Sequence, residues 1–263
     1  MLYSHVQPPY ALSAMLLIVA ALEEELEAGL TLCRDRKRIR GRSVNLWQAE
    51  RGGKTIYFLK AGVGPRRSAA SLDYALTVVK PRQILAIGYA GALDSSLKLG
   101  SLVAVRRALA LSLDRDRPGW ENARLDEAYE LADCEAFART AKSAGLNACT
   151  GDVLTSFYVL GEPAHKRLLY EKFRASVVDM ETAALARVAL ARSVTFGCVR
   201  AVSDEVEDTF LAPFSHGPAT KVPDRVKMIL GTELIRSFRE WRSHAAAAKE
   251  SLRGFLSHYV DEG

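Results

Sequence analysis

Val194-Thr195-Phe196-Gly197-Cys198-Val199-Arg200-Ala201-Val202-Ser203-Asp204 is an apolar run that ends in a hydroxyl and an acid. Val194 to Val202 reads as a buried strand, which delivers Ser203 and Asp204 at its C-terminal end. In open α/β sheets ligands bind at that end. An acid in such a half-dry crevice gains proton affinity and can act as a general acid. Arg200, inside the same strand, needs a buried partner, because an unpaired buried charge is costly. Upstream, Val178-Asp179-Met180-Glu181-Thr182-Ala183-Ala184 places Met180 and Glu181 between a short strand, Ala175 to Val178, and a helix, Thr182 to Ala191. A carboxylate there can accept the hydroxyl protons of a sugar. The two stretches together pair an acid for a leaving base with a carboxylate for its ribose.

The rest of the chain alternates in the same way. Leu16 to Ala21 is strand-like, and Glu23-Glu24-Glu25 opens a helix where acidic residues suit the macrodipole. Thr55 to Ala61 is a strand, and Gly62-Val63-Gly64-Pro65 turns it into a helix from Arg66 to Val79. Ile84 to Ile87 is a short apolar strand leading into Gly88-Tyr89-Ala90-Gly91-Ala92. Gly100 to Leu111 reads as a strand, Leu125 to Ala144 as a helix, Ala148 to Val159 as a strand and Glu162 to Phe173 as an amphipathic helix. Glu205 to Pro223 is rich in charge, Pro and Gly and reads as a flap, and Val226 to Lys249 as a closing helix. The expected organisation is a loose lead (1–14), one domain (15–245) and a polar tail (246–263). With no internal repeat and no linker, this pattern predicts a single-domain three-layer α/β/α sandwich with a mixed central sheet.

Composition narrows the function classes. The 263 residues are 49% apolar and 25% charged, with a net charge of +5, ordinary for a soluble globular protein. Much of the excess lies in Arg34, Arg36, Lys37, Arg38, Arg40 and Arg42, which read as a solvated hairpin or loop. No aromatic residues interleave with them, so they offer no platform for base stacking, and no nucleic-acid partner is expected. Cys33, Cys134, Cys149 and Cys198 are scattered, without metal-ligand spacing. They fit a reducing, cytoplasmic setting, and neither a metal nor a cofactor is expected. The apolar run from Ala11 to Leu22 is too short to span a bilayer, so no membrane partner is expected.

The chain resembles the purine nucleoside phosphorylase and nucleosidase superfamily, and within it the 5′-methylthioadenosine/S-adenosylhomocysteine nucleosidases. The landmarks are Ala20-Ala21-Leu22-Glu23-Glu24-Glu25, Ala61-Gly62-Val63-Gly64, Gly88-Tyr89-Ala90-Gly91-Ala92-Leu93, and Asp179-Met180-Glu181 followed by Arg200-Ala201-Val202-Ser203-Asp204. The resemblance implies a nucleoside phosphorylase-like fold, a small-molecule nucleoside substrate and a homodimer. It implies that Glu25 activates the attacking water and that Arg200 positions Glu25. Met180 would pack under the ribose and Glu181 bind its hydroxyls, while Ser203 orients Asp204 toward N7 of the departing purine. Tyr89, Ala90 and Gly91 would lie near the nucleophile. Val159 and Leu160 would flank the base, with Phe157 or Tyr158 stacking on it. Tyr89 departs from the small polar residue usual at its position, and Thr155 to Val159 departs from a more polar Ser-Gly-Asp pattern.

The expected activity is hydrolysis of the N-glycosidic bond of a purine nucleoside, with a futalosine-like nucleoside as a further candidate. A phosphate-dependent phosphorylase is the nearest rival. It would need cations at the nucleophile site, where Arg66 and Arg67 are on offer, but Glu25 and Glu181 would repel the anion. A nucleoside-binding protein without catalysis is the other alternative. It gives no reason to set an acid and a base on opposite sides of one bond.

Overall fold

The computed structural model describes residues 16–39, 44–114, 119–209 and 245–261. In chain order its elements are β1 (Leu16–Ala20), α1 (Glu23–Leu30), β2 (Arg34–Ile39), β3 (Asn45–Arg51), β4 (Lys54–Lys60), α2 (Pro65–Val78), β5 (Gln83–Ala92), β6 (Leu102–Ser112), a 3-10 turn at Trp120–Asn122, β7 (Arg124–Glu130), α3 (Cys134–Ser143), β8 (Ala148–Thr155), α4 (Pro163–Phe173), β9 (Val177–Asp179), α5 (Thr182–Ala191) and β10 (Thr195–Asp204). A last helix, α6, covers 245–261. The turn into α2 follows its residues: Gly62 and Gly64 take positive φ of 85° and 91°, and Pro65 stands at the start of the helix.

The strands form one mixed sheet with helices on both faces. β1 lies parallel between β4 and β5, and the β2–β3 hairpin extends the sheet beyond β4. β10 runs parallel to β5 and antiparallel to β6, β6 pairs with β7 and β8, β8 with β9, and β9 returns antiparallel to β5. The pairings β5–β10–β6–β8–β9–β5 therefore close into a ring. One side of β5 changes partner along its length. Gln83 to Ala86 pair with β1, whereas Gly91 and Ala92 pair with β9. Between Ala86 and Gly91 the strand is flanked by neither β1 nor β9, and the sheet forks there.

Two large cores fill the faces. Leu72, Ala75 and Leu76 of α2 join Ala183, Leu185, Ala186 and Ala189 of α5 on one. Leu26 of α1, Phe137 of α3 and the inner face of α6 join on the other.

Two expectations need correction. Leu125 to Glu130, expected as the first part of a helix, lies in β7 (Arg124–Glu130), and α3 begins at Cys134 after Asp133 in a left-handed conformation (φ 62°). The antiparallel ladder with β6 and the packing of Tyr129 against the core outweigh local helix propensity. The expected polar tail, 246–263, is largely α6. Ala245, Ala248, Leu252, Phe255, Leu256 and Val260 recur at helical spacing and are buried. The expected lead, most of the flap and most of the closing helix fall in 1–15 and 210–244, outside the described residues.

Phe255 is fully buried, edge-on to Phe137 and stacked on Tyr259. Phe255→Ala is expected to cost about 3–5 kcal/mol in urea unfolding. Leu190→Ala, at a residue 68% exposed, should stay within about 0.5 kcal/mol. Equal effects would show that α6 does not form part of the cooperative core.

Candidate functional site

The fork in the sheet leaves backbone for side chains to reach. Glu25, on the first turn of α1, accepts a hydrogen bond at Oε1 from the Tyr89 backbone N–H (2.8 Å) and at Oε2 from Leu22 N–H (2.8 Å). The second contact is the carboxylate half of a capping box. The first ties α1 to β5 where β1 has ended. Glu25 is buried, and burial raises its pKa against the opposing pull of Arg200 and of these N–H groups.

Arg200 is the largest fully buried side chain among the described residues. Its guanidinium pairs with Asp179 at 2.6 Å and donates to Thr182 Oγ1 from Nε (3.1 Å) and Nη2 (2.7 Å). Thr155 Oγ1 donates to the other Asp179 oxygen (2.8 Å), and the Thr182 N–H and hydroxyl also bond Asp179. The ends of β8 and β9, the middle of β10 and the start of α5 thus meet on one ion pair. A Cβ at Gly88 would lie 2.1 Å from Arg200 Nη1 and 2.9 Å from Glu25 Oε1, so only glycine lets both groups approach β5. Arg200 was expected to position Glu25. In the structure backbone N–H groups hold that carboxylate directly, the guanidinium pairs with Asp179, and its charge acts on Glu25 through space.

Glu181 precedes α5, and its Oε1 accepts from the Gly64 N–H (2.7 Å) in the turn before α2. Burial first, and then the charge of Asp179, push its pKa up to about 8, with Arg200 and the Gly64 N–H opposing. Met180 beside it is half-buried.

Asp204, on the last residue of β10, is buried. Its Oδ1 accepts from Ser203 Oγ (2.9 Å), which also reaches the Ala90 carbonyl (3.4 Å). Its Oδ2 lies 2.7 Å from Nζ of Lys166, a fully buried lysine of α4. A Cβ at Gly91 would stand 2.6 Å from Oδ2. Gly88 and Gly91 are thus the two places where β5 yields to the site.

The remaining candidates are placed less centrally. The Tyr89 side chain is buried with Ile87 and Leu26 in the core on the α1 face, so it packs beneath the site. Ala90 lies in the opposite core. Ser156 N–H bonds the Asp179 carbonyl (2.8 Å), which brings the Thr155 to Val159 segment alongside. Within it Phe157 is exposed, whereas Tyr158 is edge-on to Trp120 and Val159 is half-buried. Among the described residues no group of His, Cys, Asp and Glu is arranged to hold a metal ion.

Sequence reasoning missed Asp179 as the partner of Arg200 and missed Lys166 altogether. A signal existed for the lysine: in α4 the buried positions are Lys166 and Leu169, so the cation occupies a core-facing place on the helix.

The family model of the phosphorylase superfamily matches residues 16–230. The chain belongs to that superfamily. It is 27% identical over 194 residues to the 5′-methylthioadenosine/S-adenosylhomocysteine nucleosidase of Glaesserella parasuis, covering 71% of this chain and 84% of the relative. The corresponding nucleosidase of Haemophilus influenzae is also 27% identical, over 197 residues, with the same coverage. Among solved structures, the futalosine hydrolase of Helicobacter pylori superposes with a TM-score of 0.75 at 19% identity, covering 95% of this chain and 99% of that one. The 5′-methylthioadenosine/S-adenosylhomocysteine nucleosidase of the same organism, with butyl-thio-DADMe-Immucillin-A, gives 0.76 at 18% identity, covering 96% and 100%. The fold is the same, a mixed sheet with helices on both sides.

The Glu181 environment has a measurable consequence. Burial lifts its carboxyl from the ordinary 4.5 of an unfolded chain to about 8 in the folded one, so the folded state binds the extra proton between those values. The associated stability is fully present below the lower value and is lost as pH rises through the upper one. Glu181→Gln keeps an acceptor for Gly64 without a titrating proton. Urea midpoints at about pH 5 and about pH 8.5 should fall more steeply in the parent protein than in the variant. Parallel slopes would remove Glu181 from the linkage.

Proposed function

We propose that this protein is a nucleosidase that hydrolyses the N-glycosidic bond of a purine nucleoside such as 5′-methylthioadenosine or S-adenosylhomocysteine. The observation that carries the reading is the arrangement around the β5 fork. Two buried carboxylates, Glu25 and Glu181, lie in the field of Arg200, and a third, Asp204, ends the adjacent strand. The names borne by the relatives of known activity support the same reaction.

In this reading bond cleavage leaves positive charge on the sugar and negative charge on the base. Glu181 receives the ribose hydroxyls, and the developing cation favours its ionised form over the protonated form that burial favours in the unliganded protein. Glu25, held by two backbone N–H groups, orients the water for attack on the anomeric carbon and takes its proton. Met180 lines the sugar. Asp204, oriented by Ser203, serves N7 of the base, with Phe157, Tyr158 and Val159 beside it, and Tyr89, Ala90 and Gly91 form the floor. Phosphate is disfavoured as nucleophile because carboxyl groups, Glu25 and Glu181, stand where an anion would need several converging cationic donors. Arg66 and Arg67, the cations next to the Gly-rich turn, are exposed.

We further infer a cytoplasmic homodimer. Cys33, Cys134, Cys149 and Cys198 are unbonded thiols, and no described helix is long and apolar enough to cross a membrane. Val63 and Phe157, in segments that adjoin the site, are 48% and 54% exposed, an apolar surface that a second copy would cover.

Incubation with 5′-methylthioadenosine is expected to release adenine and the free sugar at equal rates with and without phosphate. Asp204→Asn should lower turnover by ~10²-fold or more while the protein stays folded. Formation of a sugar 1-phosphate only when phosphate is present would make the protein a phosphorylase instead.

Glu181→Gln should weaken use of a ribonucleoside far more than of its 2′-deoxy analogue. Each hydroxyl bond to a charged acceptor is worth about 1.5–3 kcal/mol, and the deoxy substrate already lacks one. Comparing kcat/KM for the two substrates tests this, and equal losses would make Glu181 a structural residue.

A further inference from the structure

Lys166 is costly to bury and has no packing reason to be a lysine. It sits on the inner face of α4 with its side chain fully enclosed, where a methionine would fill the same slot without a charge. Its ammonium donates to Asp204 Oδ2 (2.7 Å) and to the backbone carbonyls of Glu205 (2.6 Å) and Asp208 (3.4 Å). Asp204 is its salt-bridge partner among the described residues. Ser203 occupies the other oxygen of Asp204, so that carboxylate is held by a donor on each side. An ionised carboxylate is an acceptor only. The proton donor touching Oδ2 of Asp204 is therefore Lys166.

We propose that Lys166 is a positioning residue for the leaving-group acid, fixing Asp204 against Gly91 and supplying through it the proton that the base takes up. The proposal rests on the nucleosidase reading. As the C1′–N9 bond breaks, its electron pair passes to the purine. The Lys166 proton moves to Asp204 Oδ2 and from that carboxyl to N7, leaving a neutral amine beside a carboxylate. The water that attacks C1′ loses a proton to Glu25. That proton passes to solvent, from which the amine is reprotonated before the next turnover, so atoms and charge balance. The pair needs its lysine because, among the described residues, Lys166 is the cationic donor that touches the carboxylate, and the other donor, the Ser203 hydroxyl, is far less acidic than an ammonium.

The test compares 5′-methylthioadenosine with 4-nitrophenyl riboside, whose leaving group departs as a stable anion and needs no proton. In Lys166→Met the ratio of the two turnover rates (purine over nitrophenyl) should fall at least about tenfold, through kcat and not KM. Asp204→Asn should lower the same ratio, and the double variant should lose no more than the greater single loss, because the two residues act as one unit. The double variant also removes both buried charges together and so keeps its fold. If Lys166→Met alone does not fold, Lys166→Arg retains the cation but releases no proton, and its ratio should fall too. An unchanged ratio in the folded Lys166 variant, or losses that multiply in the double variant, overturns the proposal. A parent protein that cleaves neither substrate overturns the nucleosidase reading first, and the proposal with it.

Discussion

The Arg200–Asp179 ion pair is the constraint around which the site is arranged. A guanidinium that is almost wholly buried is tolerable only with a counter-charge and a full set of acceptors, and the chain supplies these from four elements. Asp179 comes from β9, Thr182 from α5 and Thr155 from β8, while Gly88 of β5 makes room. In the strands, Thr155, Asp179 and Gly88 are small or polar directly after Leu154, Val178 and Ile87. Removing either charge would leave the other stranded in an interior that has no other counter-ion in contact with it among the described residues.

That pair also sets the electrostatics of its neighbours. Glu25 and Glu181 are both pushed toward protonation by burial, and Arg200 limits how far. Asp179 acts in the opposite sense on Glu181, so one ion pair sends signals of both signs to the same carboxylate. Asp204 has a separate cation in Lys166. The protein thus assigns different cations to the two ends of the bond it is proposed to break. In that reading the sugar side is governed by a guanidinium that keeps its proton and the base side by an ammonium that can release one.

Much of this was legible in the sequence where hydrophobic periodicity and strand ends coincide. Ser203 and Asp204 at the end of an apolar run, and Glu181 at a strand-to-helix junction, stand where the pattern puts them. The need of Arg200 for a buried partner was also legible, but not which partner. That choice depends on the register of β9 against β8 and β5, which no local pattern encodes. Lys166 was hidden because a lysine in an amphipathic helix is ordinarily a solvated residue. Residues 124–130 misled because their composition suits an exposed helix as well as an edge strand, and only β6 decides between them. The alanine-rich stripe of α6 was masked by the charged residues interspersed along it.

The ring of strands has a consequence for the company the protein keeps. Because β5, β10, β6, β8 and β9 close on themselves, the strands that pair with one neighbour alone among the described residues are β2 and β7. An open edge is a template on which another chain can add a strand, and charge is a common deterrent. β2 reads Arg-Asp-Arg-Lys-Arg-Ile and is almost entirely solvent-facing, and β7 reads Arg-Leu-Asp-Glu-Ala-Tyr-Glu. One margin is basic and the other mainly acidic, so a stray strand that carries charge of one sign finds one of them repellent. The basic residues of β2, part of the cluster that stands out in the composition, thereby guard a sheet edge, a task that requires no nucleic acid.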